Sequence, residues 1–213
     1  MLALIRVFTS TDPQVLGVHG SIITSRFGLS VRTYCIPDQP LGIHDDASER
    51  QAIPKIVATA EQAAADGAGC VLISCAADPA VRECRRALGI PVVGAGSAAA
   101  GVALALGPRV GVLTLNGPVP QPMAAILGSH LAATKSPAGV ANTADLLTPA
   151  GRAAAIAAAR DLASRVDVIA LACTGYTTIG LEAQLRGSIG VPVVDAVEAG
   201  GLIALHLLTK PRL

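Results

Sequence analysis

The chain has 213 residues, 52% of them hydrophobic, enough to pack one compact domain or two small lobes. Sixteen Lys and Arg against 15 Asp and Glu leave a formal charge of +1, and two Phe, two Tyr and no Trp give little to stack on bases, which excludes a nucleic-acid platform. The apolar content is mainly Ala, Val, Leu and Ile beside 22 Gly, the mixture of buried parallel strands packed against small-residue helices.

In chain order, Leu2–Phe8 reads as a first strand, followed by a Thr/Ser/Asp turn and an amphipathic segment from Pro13 to Arg26. Arg6 interrupts the opening apolar run, so the expectation is no signal peptide and a cytoplasmic protein. Val31–Ile36 reads as a second strand. A Pro/Gly/Asp-rich loop from Pro37 to Asp46 precedes Ser48 and Gln51, which resemble a capping box. Ile53, Ile56, Val57 and Ala60 then carry helical spacing to a stop at Gly67, with Pro54 as a kink. Val71–Ser74 is a third strand, and Asp78-Pro79 has the cap-then-proline form of a helix start, the helix ending at Gly89.

No charged residue lies between Arg86 and Arg109, a gap as long as a membrane span. Gly89-Ile90-Pro91 and Gly94-Ala95-Gly96 break it into a short strand, a turn and an Ala-rich helix, so no membrane partner is expected. Gly94 to Ala99 also fits a dinucleotide-binding glycine pattern. No acidic residue follows until Asp145, and no cofactor is predicted. Arg109–Leu113 reads as strand, Pro120 to Leu127 as helix, Thr148-Pro149 to Arg165 as a long helix and Val168–Ala172 as strand. Strands alternating with helices imply parallel βαβ units.

Gly89–Leu106 and Gly190–Leu207 are identical at nine of 18 positions, which marks a duplicated unit. Upstream of each copy an apolar strand ends in cysteine, at Cys75 and Cys173. The predicted fold is α/β with two pseudo-symmetric lobes, each a parallel sheet flanked by helices: residues 1–96 with 197–213, and residues 97–196. Ligands bind outside the carboxyl ends of parallel strands, so the active site is expected in the cleft between lobes.

Of the five cysteines, only Cys75 and Cys173 are related by the repeat; Cys35, Cys70 and Cys84 read as small core hydrophobes. The spacing holds no C-x-x-C, and His19, His44, His130 and His206 are scattered, so no metal is predicted. Helix starts beyond both repeat cysteines, at Asp78-Pro79 and Thr177-Thr178, are expected to favour thiolate. Such a pair fits two-base racemisation: one thiolate removes a proton from a carbon acid and the opposite thiol returns one to the other face. Backbone amides of Ala76, Ala77, Thr174 and Gly175 are the expected donors to the carbanion's carbonyl. Asp195 and Glu198 read as a cap for the last helix.

At Cys75-Ala76-Ala77-Asp78-Pro79, at Gly89–Ser97, and at Ala172-Cys173-Thr174-Gly175 followed by Gly190–Asp195, the chain resembles the aspartate/glutamate/hydantoin racemase superfamily, in its hydantoin-racemase-like branch. The resemblance implies cofactor-independent racemisation with Cys75 and Cys173 as acid and base. It implies ligand-binding turns at Ser10 and Thr11, Cys75-Ala76-Ala77, Thr114 and Cys173-Thr174-Gly175. Ala76-Ala77 and Thr174-Gly175 stand where glutamate racemases carry Asn-Thr and Thr-His, and Thr9-Ser10-Thr11 stands where hydantoin racemases carry Asn-Pro-Asn. The expected substrate is a small molecule with a C–H beside a carbonyl, a 5-substituted hydantoin in preference to a free amino acid. A same-fold decarboxylase or cis-trans isomerase, or a ligand-binding module without turnover, are the alternatives. A homo-oligomer is expected because such assemblies are common.

Overall fold

A computed structural model describes residues 1–43 and 45–209. The first sheet contains β1 (Leu2–Arg6), β2 (Val31–Cys35), β3 (Cys70–Ser74) and β4 (Val92–Gly94), all parallel, in the order β2-β1-β3-β4. The second contains β5 (Val110–Leu113), β6 (Leu131–Lys135), β7 (Val168–Leu171) and β8 (Val193–Val194), again parallel, in the matching order β6-β5-β7-β8. Helices α1 (Pro13–Phe27), α2 (Asp46–Ala65), α3 (Val81–Ala87) and α4 (Ala95–Leu106) follow the strands of the first sheet in turn. Helices α5 (Gln121–Leu127), α6 (Pro149–Ala163), α7 (Gly175–Thr178), α8 (Leu181–Leu185) and α9 (Ala196–Thr209) complete the alternation.

Two compact units result, one of Met1–Ala95 with the chain from Gly200 onward, the other of Gly96–Ala199. The sequence repeat corresponds to β4 with α4 and to β8 with α9, and each copy starts in one unit and ends in the other. In the first unit Ala3, Ile5, Val71 and Ile73 pack with Ala52, Ile56, Ala60 and Ala63 of α2. In the second, Leu113, Ile169 and Leu171 pack with Ala155, Ala158, Ala159 and Leu162 of α6. Central strands buried on both faces explain the continuous apolar runs.

Local chemistry sets the helix ends. Asp12 caps α1 through the Gln14 amide at 2.9 Å, with Pro13 in the first turn, and Gly28 at φ 68 closes it. The capping box of α2 joins Asp45 and Ser48, three residues upstream of the expected pair, because Ser48 bonds back to Asp45 as well as accepting its amide. Pro54 stands on the exposed side of α2 without ending it. Thr148 caps α6 at the Gly151 amide, 3.0 Å away.

Three features differ from expectation. The helix expected from Asp78-Pro79 begins only at Val81, since Asp78 at φ 54 and Ala80 at φ 58 are left-handed and no side chain caps it. The edge strand β6 carries no strand signal in the sequence, because its Ala- and Thr-rich, half-exposed residues show little periodicity. The uncharged stretch from Arg86 to Arg109 is β4 and α4, and among the described residues no helix is long and apolar enough to cross a membrane.

Candidate active site

In the first unit, the carboxyl ends of β1 and β3 lie side by side, with Arg6 in register with Ser74. Beyond β1 the turn is tied to the loop after β2: Thr9 donates its hydroxyl to the Ile36 carbonyl at 2.7 Å and accepts the Gln39 amide at 2.7 Å. Ser10 accepts the Asp12 amide at 3.1 Å, and its own amide reaches the Cys35 sulfur, while Thr11 is exposed. His44, in the loop from Pro37 to Asp46, lies outside the described residues.

Cys75 is the first residue beyond β3 and is half-buried; Ala76 is buried and Ala77 half-buried. The Cys75 carbonyl accepts the Asp78 amide at 3.1 Å, which closes the turn. One residue before Cys75, the Ser74 hydroxyl meets Nδ1 of His19 at 2.9 Å, in a buried contact that links this strand end to α1. Sequence reasoning set His19 aside as scattered. Its signal was a polar group four residues before Ile23 on the apolar face of α1.

In the second unit, Thr114 follows β5 and Cys173 lies two residues beyond β7, on adjacent strands. Thr114 is buried: its hydroxyl meets that of Ser136 at 2.7 Å, and its carbonyl accepts the phenol of fully buried Tyr176 at 2.8 Å. Thr174 is half-buried and precedes α7. The Gly175 amide donates to the Cys173 sulfur at 3.3 Å, so this donor, expected to face the substrate, faces the thiol.

At Cys173 the thiolate expected from the sequence is not favoured. The residue as a whole is half-buried, and withdrawal of its sulfur from water pushes the thiol up to about 11 although the amides of Gly175 and Tyr176 pull it down, the negative charge of Asp195 adding to the rise. A helix of four residues supplies two amides and too little field to outweigh desolvation. Cys70 and Cys84 are buried with thiols pushed up to about 11, and Cys35 is half-buried and also raised by burial.

Asp78 does not cap α3. Its side chain lies against Gly94, at the end of β4, where a Cβ would stand 2.4 Å from the Asp78 carboxyl carbon. A carboxylate thus fills the approach to the glycine that a pyrophosphate would need in a dinucleotide site. Asp195 accepts the amides of Val197 at 2.9 Å and Glu198 at 3.1 Å, and so caps α9 as expected.

The Asp/Glu/Hydantoin racemase family model matches residues 25–201. The chain belongs to this family. A hydantoin racemase of Rhizobium meliloti is 29% identical over 181 residues, covering 80% of this chain and 73% of the relative. An allantoin racemase from Klebsiella pneumoniae shares the fold with a TM-score of 0.84 at 18% identity, over 97% of this chain and 86% of that one. A double mutant of arylmalonate decarboxylase in a liganded form shares it with a TM-score of 0.71 at 18% identity, over 99% and 93%. Membership of the Asp/Glu/Hydantoin racemase family, with its hydantoin racemase relative, supports racemase activity, while the fold itself also serves decarboxylation.

Proposed function

We propose that the chain is a cofactor-independent racemase acting at a carbon beside a carbonyl, with Cys75 and Cys173 as opposed acid and base and a 5-substituted hydantoin as the substrate type. The observation that carries this reading is the equivalence of the two cysteines. Each follows the third strand in matching sheet orders, β3 in β2-β1-β3-β4 and β7 in β6-β5-β7-β8, at the edge where parallel sheets present ligand-binding turns.

In the proposed reaction the Cys75 thiolate takes the proton from the substrate carbon. The electron pair moves into the adjacent carbonyl as an enolate and returns to carbon as the Cys173 thiol delivers its proton to the opposite face. The reverse direction exchanges the roles, and no electrons are gained or lost. With its thiol pushed up to about 11, Cys173 is protonated at neutral pH and ready to act as the acid. The amides of Ala76, Ala77 and Thr174 are the proposed donors to the enolate oxygen; Gly175 steadies the Cys173 sulfur instead. Ser10, Thr11 and Thr114 are proposed to line the substrate's surroundings. A neutral ring gives a better stabilised carbanion than an amino-acid carboxylate, which favours the hydantoin.

The test is polarimetry of single enantiomers of several 5-substituted hydantoins, with aspartate and glutamate alongside. Decay of rotation with the hydantoins supports the reading. The second reading, a decarboxylase, draws on the fold shared with arylmalonate decarboxylase and on a thiol suited to act as a lone proton donor. Constant rotation together with CO2 release from an arylmalonate would replace racemisation by it.

A further inference from the structure

The turns that carry the two cysteines are built differently, yet each is backed by one buried aspartate. In the second unit this is Asp195, 4% exposed, at the start of α9. Its two oxygens accept the Thr177 hydroxyl at 2.9 and 2.8 Å, and one of them also accepts the Val197 and Glu198 amides. Thr177 belongs to α7, the turn whose Gly175 amide reaches the Cys173 sulfur. A single side chain therefore ties the Cys173 turn to the β8–α9 junction.

The repeat partner of Asp195 in the first unit is Gly94, which has no side chain to offer. There the carboxylate comes from the other side of the junction. Asp78, three residues past Cys75 and 8% exposed, places both carboxyl oxygens within 2.6 Å of the point where a Cβ on Gly94 would stand. The space at which the Asp195 side chain begins in one unit is thus filled in the other by a carboxyl group from the cysteine turn. Asp78 reaches it from φ 54, a conformation that aspartate and asparagine tolerate better than other side chains.

We propose that Asp78 and Asp195 are equivalent positioning residues, each holding its cysteine turn against the following strand–helix junction, delivered from opposite sides of that junction in the two halves of the repeat. The inference rests on the reading of Cys75 and Cys173 as acid and base, since proton transfer at carbon requires a sulfur held within about 0.5 Å of its productive position. The charged group acting on Cys173 is Asp195, itself under the influence of Glu182, and the Tyr176 phenol is held protonated by burial.

The experiment is alkylation by iodoacetamide from pH 7 to 11, with each cysteine quantified separately by peptide mass spectrometry. It is run on the wild type, Asp78→Ser, Gly94→Asp, the Asp78→Ser/Gly94→Asp double variant, Asp78→Asn and Asp195→Asn. The double variant rebuilds the second unit's arrangement in the first, with a hydroxyl in the turn and the carboxylate on the strand. Asp78→Ser, Gly94→Asp and Asp78→Asn are each expected to alter the Cys75 rate at least threefold and the double variant to bring it back within twofold of wild type, Cys173 being unmoved in all four. Asp195→Asn keeps the acceptor and removes the charge, so it is expected to move the Cys173 profile to lower pH and leave Cys75 alone. Should Asp78→Ser or Gly94→Asp not fold by circular dichroism, the two isosteric Asn variants carry the same comparison. A double variant no closer to wild type than its parents, or Asn variants that move both cysteines or neither, overturns the proposal. Because alkylation needs no turnover, rescue in a protein inert towards every hydantoin retracts the racemase reading alone, whereas turnover without rescue retracts the positioning alone.

Discussion

The amide of Gly175 donates to the sulfur of Cys173 at 3.3 Å, and a Cβ on Gly175 would stand 3.3 Å from that same sulfur. The residue brings its backbone close, and a side chain there would have to press its neighbours, the sulfur included, back by a few tenths of an ångström. Gly175→Ala would also meet Thr143 Cγ2 at 3.0 Å and Leu146 Cδ1 at 3.1 Å. The expected outcome is a loss of turnover of tenfold or more from a displaced thiol, with an overpacking cost of about 1–3 kcal/mol. Steady-state kinetics beside urea denaturation measure both, and unchanged turnover contradicts the assignment.

The Cys173 thiol has a simple pH signature. Its pKa is raised from 9.0 to about 11, so the thiolate fraction at pH 9 is well below the one half of an ordinary thiol with that value and reaches one half only near pH 11. Alkylation of Cys173 in the wild type is therefore expected to climb through pH 9 and 10 without levelling. A plateau below pH 9 would mean that amide donation outweighs burial.

Both enantiomers of a racemase substrate must share one value of kcat/KM at every pH, because their equilibrium constant is unity. The proposed reaction needs one thiolate and one thiol at the same time, so the pH profile of kcat/KM is expected to be bell-shaped and superimposable in the two directions. An alkaline limb is expected as the acidic thiol is lost. A profile rising monotonically past pH 11 would remove the need for a protonated cysteine.

Much of this was legible in the residues. The alternation of apolar strands with capped helices carries the parallel α/β class, and the repeat of Gly89–Leu106 in Gly190–Leu207 singles out Cys75 and Cys173 from five cysteines. What stayed hidden depends on distances between segments remote in sequence. Asp78-Pro79 has the chemistry of a helix start, yet Asp78 is drawn across to Gly94, 16 residues on, and Ala80 takes the strained step into α3. A thiol's ionisation follows from its burial, which no local spacing reveals, and the His19–Ser74 contact spans 55 residues.

Tyr176 tests how the Cys173 turn is anchored. Its phenol is fully buried and donates to the Thr114 carbonyl at 2.8 Å, joining the residues after β5 and β7. Tyr176→Phe keeps the ring but leaves that carbonyl without its partner, at about 1–3 kcal/mol. A fall in urea midpoint with an unchanged denaturant slope is the expected reading; an unchanged midpoint means that water takes over the bond.

Gly151, in the first turn of α6, has no room to change. A Cβ there would stand 2.0 Å from the carbonyl oxygen of Asp145, and backbone on both sides cannot yield as a side chain does. Gly151→Ala is expected to cost about 3 kcal/mol or more and to lower the melting temperature by several degrees. A wild-type melting curve would show that the turn before α6 moves freely.

The most direct measurement is proton NMR in D2O of each enantiomer of a 5-substituted hydantoin with the wild type, Cys75→Ser and Cys173→Ser. The wild type is expected to wash deuterium into the stereocentre of both enantiomers. Each variant is expected to lose racemisation entirely and exchange from one enantiomer only, the opposite one in the two variants. If either replacement leaves racemisation intact, Cys75 and Cys173 are not an opposed acid and base.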